Sequence, residues 1–175
     1  MIESDYLKEN NQLIKDLKKI PTLDPFKEHE LNRLLKMSKI RKYNPGELIC
    51  KEGLHDTWIY FLASGKVQIT KNGRHLSTLD RRGDVFGEMG MIDGSPRSAS
   101  VHAVDTTVCL ATDTFYIEKL SGQDKIAFGY ILYRIISEIL ASRLRVTNRE
   151  LIKARGKLKW GILGSLVSKI SPSYT

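Results

Sequence analysis

Between residues 40 and 112 the chain breaks into short β-prone runs, "ELIC", "TWIYFL", "KVQIT", "HLSTL", "ASVHAV" and "TVCLAT". Each is bounded by a turn signal: "NPG", "SG", "NG", "RRGD" or "DGSP". Connections this short leave no room for the helical crossovers that parallel strands require. The segment is therefore expected to form an antiparallel barrel or sandwich rather than a βαβ sheet. Asn72-Gly73 is the strongest hairpin signal, because both central residues of a two-residue turn of that type need positive φ.

Helical periodicity flanks this β segment. Residues 4–19, "SDYLKENNQLIKDLKK", carry Leu7, Leu13, Ile14 and Leu17 at helical spacing and stop at Pro21. Residues 27–37 predict a second short helix with Leu31, Leu34 and Leu35 on one side. After Gly122 the period returns and persists to about Arg155, with Ile126, Ile131, Leu132, Ile135, Ile136, Ile139, Leu140, Leu144, Val146 and Leu151 spread over more than one face. A helix apolar on two sides must be covered on two sides. The β-domain can cover one, and a second copy across a two-fold axis most economically covers the other. A homodimer through residues 122–155 is the expectation; burial in a larger monomer core is the alternative. The chain thus divides into N-terminal helices (1–38), a β-domain (39–121), a long helix (122–155) and a short tail (156–175).

Composition narrows the function classes. At 175 residues, 41% hydrophobic and 27% charged, the chain has the profile of one soluble globular domain with a modest extra element. "MIESDYLKEN" has no apolar core, so no signal peptide is read there. No run approaches the ~20 apolar residues of a membrane span, and a cytoplasmic location is expected. Cys50 and Cys109 sit inside apolar runs without a Cys-x-x-Cys pattern, which favours buried reduced thiols over a metal site. His29, His55, His75 and His102 show no metal-ligand grouping, so metal-dependent enzyme chemistry is not expected and no cofactor is assigned. The net charge is +8, and nine Lys or Arg against two Glu from Arg134 onward account for +7 of it. Such a stretch is either a solvated helix face or a surface for an anionic partner.

The chemistry concentrates in "GDVFGEMGMIDGSPRSASV", residues 83–101. Arg97 offers a planar fork of donors matched to two phosphate oxygens, and Glu88 offers an acceptor for a ribose hydroxyl. Gly87 and Gly90 remove side chains where backbone must approach a ligand closely. A short helical turn at "EMGMI" would add free N–H groups, and Pro96 limits the entropy lost in ordering the loop. The set suits a compact ligand with one sugar and one phosphate, such as a cyclic nucleotide. The competing reading is that Glu88 and Arg97 pair with each other across a structural loop.

"FGEMGMIDGSPRSASV" resembles the phosphate-binding cassette of the cyclic nucleotide-binding domains, with its Phe-Gly-Glu opening and Pro-Arg-(Ser/Ala)-Ala close. "YNPGELICKEG" and "TWIYFLASGKVQI" resemble the turns and hairpin that begin the family's β-roll, so the resemblance covers about residues 20–155. It implies an α+β, mainly β fold: an antiparallel, jelly-roll-like β-roll with N-terminal helices and a long C-terminal dimerisation helix. It also implies that Glu88 accepts the ribose 2′-hydroxyl, that Arg97 neutralises the cyclic phosphate, and that Gly87 and Ser98 bond to the sugar-phosphate. Within bacteria the likeness is to the catabolite activator and fumarate-nitrate regulator group, which favours cAMP over cGMP. "SRLRVTNREL" (142–151) resembles the part of that group's dimer helix that reaches the ligand, placing Thr147 and Asn148 at the purine and Arg143 towards the phosphate. Alternatively, Thr147 and Asn148 are polar positions that fix register along a dimer seam.

The resemblance implies a non-enzymatic sensor whose ligand shifts the dimer helix and acts on a downstream protein partner. The alternative is a transcriptional regulator, truncated or dependent on a partner for its DNA reader. The twenty residues after Arg155, "GKLKWGILGSLVSKISPSYT", are too short for a helix-turn-helix, so direct DNA binding is not expected unless the sequence continues. Leu158, Ile162, Leu166 and Ile170 recur every four residues there among Lys157, Lys159 and Lys169. That pattern fits a helix packed on the protein's own body, or a basic amphipathic segment on a membrane surface or partner.

Overall fold

The computed structural model describes residues 1–5 and 11–170. Two antiparallel sheets form the body, as the turn-punctuated texture requires. The first has five strands in the order β1 (Ile2–Glu3), β2 (Ser38–Tyr43), β9 (Thr107–Asp113), β4 (Trp58–Ser64) and β7 (Val85–Phe86). The second has four, in the order β3 (Leu48–Cys50), β8 (Ser100–Ala103), β5 (Val67–Lys71) and β6 (Arg74–Leu79). Asn72 (φ +50°) and Gly73 (φ +72°) turn β5 into β6 as expected.

Alternation of side chains across the strands sorts the core into two layers. Tyr43, Cys50, Tyr60, Leu62, Val67, Phe86, Val101, Ala103, Cys109 and Ala111 cluster inside, with Trp58, Ile69 and Leu79 packed against them. Tyr60 stacks on Phe86 at 4.9 Å between ring centroids. The intervening residues Ile59, Phe61 and Leu110 point to the opposite face and are fully buried. Each such side chain contributes about 1.5–3 kcal/mol on removal from water.

Helices and the turns that join them supply further buried apolar residues. They are α1 (Asn11–Lys18), a 3₁₀ turn (Pro21–Leu23), α2 (Glu28–Lys36), α3 (Met89–Asp93), α4 (Phe115–Glu118) and α5 (Gly122–Ile170). Leu17, Leu23, Phe26, Leu31, Leu34 and Leu35 are buried, and Phe26 meets Phe128 of α5 at 5.4 Å. Of the residues expected to form the first helix, Leu7 and the side chains of Leu13 and Ile14 lie outside the described set. The expected stop at about Arg155 does not interrupt α5, whose backbone stays helical to Ile170. The side chains of the basic tail, from Lys157 on, lie outside the described set.

The chain divides into two compact units, Met1–Tyr133 and Arg134–Thr175. The first contains both sheets and the glycine-rich segment. The described residues of the second continue α5 to Ile170. Among the described residues no helix is long and apolar enough to cross a membrane.

Candidate functional site

The site begins where β7 pairs with β4, Tyr60 opposite Phe86 and Phe61 opposite Val85. Gly87 then turns the chain with φ +83°. Glu88 follows as the residue before α3, the short helical turn expected from the sequence. Gly94 (φ +68°) ends α3, its N–H donating to the Gly90 carbonyl at 3.0 Å. The returning chain is fastened to the turn after β3: the Arg97 N–H donates to the Leu54 carbonyl at 2.8 Å, and the Gly53 N–H to the Arg97 carbonyl at 2.9 Å.

This route drives the Arg97 side chain inward, where only 5% of the residue is exposed. Nε donates to Oδ2 of Asp56 at 2.8 Å, Nη1 donates to the Gly87 carbonyl at 2.5 Å, and Nη2 donates to both Asp56 Oδ1 and the Trp58 carbonyl. The Asp56 carboxylate is itself placed by the Trp58 N–H, which donates to Oδ1 at 2.9 Å. Burial works against the Arg97 charge, but the Asp56 hydrogen bonds and the surrounding electronegative groups outweigh it, and the guanidinium pKa is raised. The ion pair of Arg97 is with Asp56. A guanidinium has five N–H donors, and four of these are engaged.

Gly87 is needed for this arrangement. A Cβ at its position would collide with Nη1 of Arg97 and lie 2.9 Å from the Trp58 carbonyl. Glu88 is also buried, at 2% exposure. The buried Cys50 thiol feels both charges. Burial pushes its pKa up to about 12, with Arg97 and Arg41 opposing that shift and Asp56 and Glu88 adding to it. All four charged groups thus lie within electrostatic reach of one sulfur.

Ser98 borders the same site. Its hydroxyl lies 3.3 Å from the Met89 sulfur, and its carbonyl accepts from Lys71 Nζ at 2.8 Å. Glu52 ties the β5–β6 turn down, its carboxylate accepting the Asn72 N–H at 2.9 Å. A cleft of about 540 Å³ lined by Lys71, Asn72, Arg74 and Leu76 is formed by that turn and strand β6.

The structure brings Gly87, Glu88, Arg97 and Ser98 into one site. Arg143, Thr147 and Asn148 lie on α5 in the second unit, Thr147 and Asn148 exposed and Arg143 half-buried. Sequence reasoning missed Asp56, Trp58 and Lys71. "LHDTW" reads only as a turn before a strand, and nothing local indicates that its carboxylate meets an arginine 41 residues later. If Asp56 aims the guanidinium, Asp56→Asn should weaken anion binding about 10-fold, a loss of ~1.4 kcal/mol. Titration calorimetry on both proteins measures it. Unchanged or tighter binding would mean that Asp56 competes with the ligand instead.

A buried arginine and a buried glutamate on one glycine-rich loop of an antiparallel β-domain define a module for a small polar anion. Residues 40–124 match the cyclic nucleotide-binding domain and belong to that family. The chain is 34% identical over 106 residues to a cAMP-dependent protein kinase regulatory subunit of Debaryomyces hansenii, covering 61% of this chain and 24% of that protein. It is 30% identical over 128 residues to a cGMP-dependent protein kinase of Toxoplasma gondii, covering 73% of this chain and 12% of that one. The chain thus spans a quarter or less of these curated relatives. Among solved structures it resembles the Thermus thermophilus catabolite activator protein, at 30% identity and a TM-score of 0.59, over 77% of this chain and 63% of that one. A cyclic nucleotide-binding domain from Methylobacillus flagellatus shares the fold, with a TM-score of 0.66 at 21% identity over 77% and 79% of the two chains.

Proposed function

We propose that this protein is a cyclic nucleotide sensor without enzymatic activity, acting in the cytoplasm through a downstream protein partner. The observation that carries this reading is the Asp56-oriented, buried Arg97 beside the buried Glu88 on the family's cassette. Arg97 neutralises the cyclic phosphate, Glu88 accepts the ribose 2′-hydroxyl, and Gly87 and Ser98 bond to the sugar-phosphate. cAMP is the favoured ligand on the catabolite-activator resemblance, while the kinase relatives named for cAMP and for cGMP keep both in the test. Titration of cAMP and cGMP into the wild-type chain decides it. Micromolar or tighter binding of one names the base, and no binding of either overturns the reading.

The receptor works as a homodimer through α5. Within the second unit Ser137, Leu140, Leu144, Thr147, Leu151 and Ala154 follow alternating steps of three and four, the spacing of a coiled-coil seam. Leu144 and Leu151 are 60% and 46% exposed, a large apolar surface for a lone helix. Thr147 falls on this stripe, which supports the register-fixing role over purine contact. Sedimentation equilibrium is expected to give a dimer for the wild type and a monomer for the Leu144→Asp/Leu151→Asp variant. A monomeric wild type would exclude this assembly.

A second reading, a regulator of the catabolite activator type with its DNA reader elsewhere, is favoured by the likeness to the Thermus protein. Duplex binding that weakens steeply with salt would support it.

A further inference from the structure

Strand β1 does more than extend a sheet. Ile2 and Glu3 pair with Lys42 and Arg41 of β2, and the Ser4 N–H donates to the Ile40 carbonyl at 2.9 Å. This lays the Glu3 carboxylate across two cations, Lys39 Nζ at 2.7 Å and Arg41 Nε at 2.5 Å. The Arg41 side chain is only 11% exposed. Its guanidinium carbon lies 3.9 Å above the centre of the Trp58 ring, and its Nη1 donates to the Tyr60 hydroxyl at 2.9 Å. A guanidinium stacked in this way on an indole is attracted to the ring face and restricts it.

Trp58 is the residue on which the phosphate arginine depends. Its carbonyl accepts from Arg97 Nη2 and its N–H holds Asp56, which grips the other edge of Arg97. A continuous series of contacts therefore runs from Glu3 to Arg41, to the Trp58 ring, to the Trp58 backbone and to the guanidinium of Arg97. Nothing in the binding reaction itself requires Glu3 or Arg41 to touch the ligand.

We propose that Glu3 and Arg41 are positioning residues for the anion site: the N-terminal strand, by fixing Arg41 on Trp58, holds the Trp58 backbone in the place that aligns Arg97. The effect on nucleotide affinity rests on the function proposed above, whereas the coupling between Glu3 and Arg97 does not. Lys39 shares the Glu3 carboxylate, but a lysine has no planar guanidinium to lie on the indole, so Lys39→Met should have the smaller effect.

The test uses the full chain and two readouts. In ligand-free protein the Arg97 Nε–H resonance, assigned by its loss in Arg97→Lys, is compared between wild type, Glu3→Gln and Arg41→Lys. Arg41→Lys keeps the charge that pairs with Glu3 but removes the planar stack, so it separates alignment from simple ion pairing. We expect both variants to stay folded, to shift the Arg97 resonance, and to weaken cAMP or cGMP binding three- to tenfold, with Arg41→Lys the larger. A shifted melting temperature with an unmoved Arg97 resonance would overturn the proposal and leave β1 a purely structural strand. An affinity equal to wild type in both variants would overturn it as well. A wild type that binds neither nucleotide would instead overturn the proposed function, and the resonance comparison would still judge the coupling.

Discussion

Replacing Arg97 with alanine is expected to weaken cyclic nucleotide binding by one to two orders of magnitude. With four of its five N–H donors held by the protein, one remains for a cyclic phosphate, and a charge-assisted hydrogen bond contributes about 1.5–3 kcal/mol. At 1.4 kcal/mol per decade that is a ~10- to 10²-fold change in Kd. The substitution also strips partners from Asp56 and from the Gly87 and Trp58 carbonyls, so a loss of stability accompanies the loss of affinity. Arg97→Lys separates the two effects. It retains a cation but not the two-edged fork that spans Asp56 and the carbonyls, so it should fold better than the alanine variant and still bind weakly. Calorimetric titration with parallel thermal melts measures both. Arg97→Ala binding within threefold of wild type would remove Arg97 from the site.

Gly87→Ala is expected to damage the site from the backbone side. A φ of +83° costs a residue with a Cβ about 1–2 kcal/mol before any contact is considered. The new methyl then meets the Arg97 guanidinium and the Trp58 carbonyl, two groups that already bond to each other. One must move, and either movement misaligns the arginine. We expect stability to fall by ~2–4 kcal/mol in urea melts, and affinity to fall at least 10-fold, as a group shifted by ~1 Å implies. A variant with wild-type affinity would show that the close approach at Gly87 is not required for binding.

Which parts of this architecture were legible beforehand follows from where their causes lie in the chain. The Asn72-Gly73 hairpin was readable, because a positive φ is a demand on one residue and only certain residues meet it. The buried leucines of α2 were readable for a similar reason: their period is local. Strand β2 was not. In "SKIRKY" the half-buried position 41 carries an arginine, so the alternation that reveals other strands is disguised by a charge whose partners include Glu3, Trp58 and Tyr60. Strand β1 was hidden as well, since two residues have no period and acquire a strand geometry only by pairing with β2. Asp56 was missed because its purpose is set by a residue distant in sequence. Glu88 and Arg97 were singled out from their chemistry and from family resemblance, whereas the carboxylate that pairs with Arg97 required the fold.

The two cysteines give this interior a chemical clock. Burial pushes both thiols up to a pKa of about 12, so at neutral pH neither presents an appreciable thiolate to an alkylating reagent. Modification must wait for the sheets to part, and its rate then counts openings rather than intrinsic reactivity. Cys50 lies on β3 and feels the charges of Arg97, Asp56, Arg41 and Glu88, while Cys109 lies on the β9 strand between β2 and β4. A single chain thus carries two timers in one core cluster, one on the smaller sheet and one on the larger. The difference between their rates measures how far breathing at the cassette is independent of unfolding of the whole.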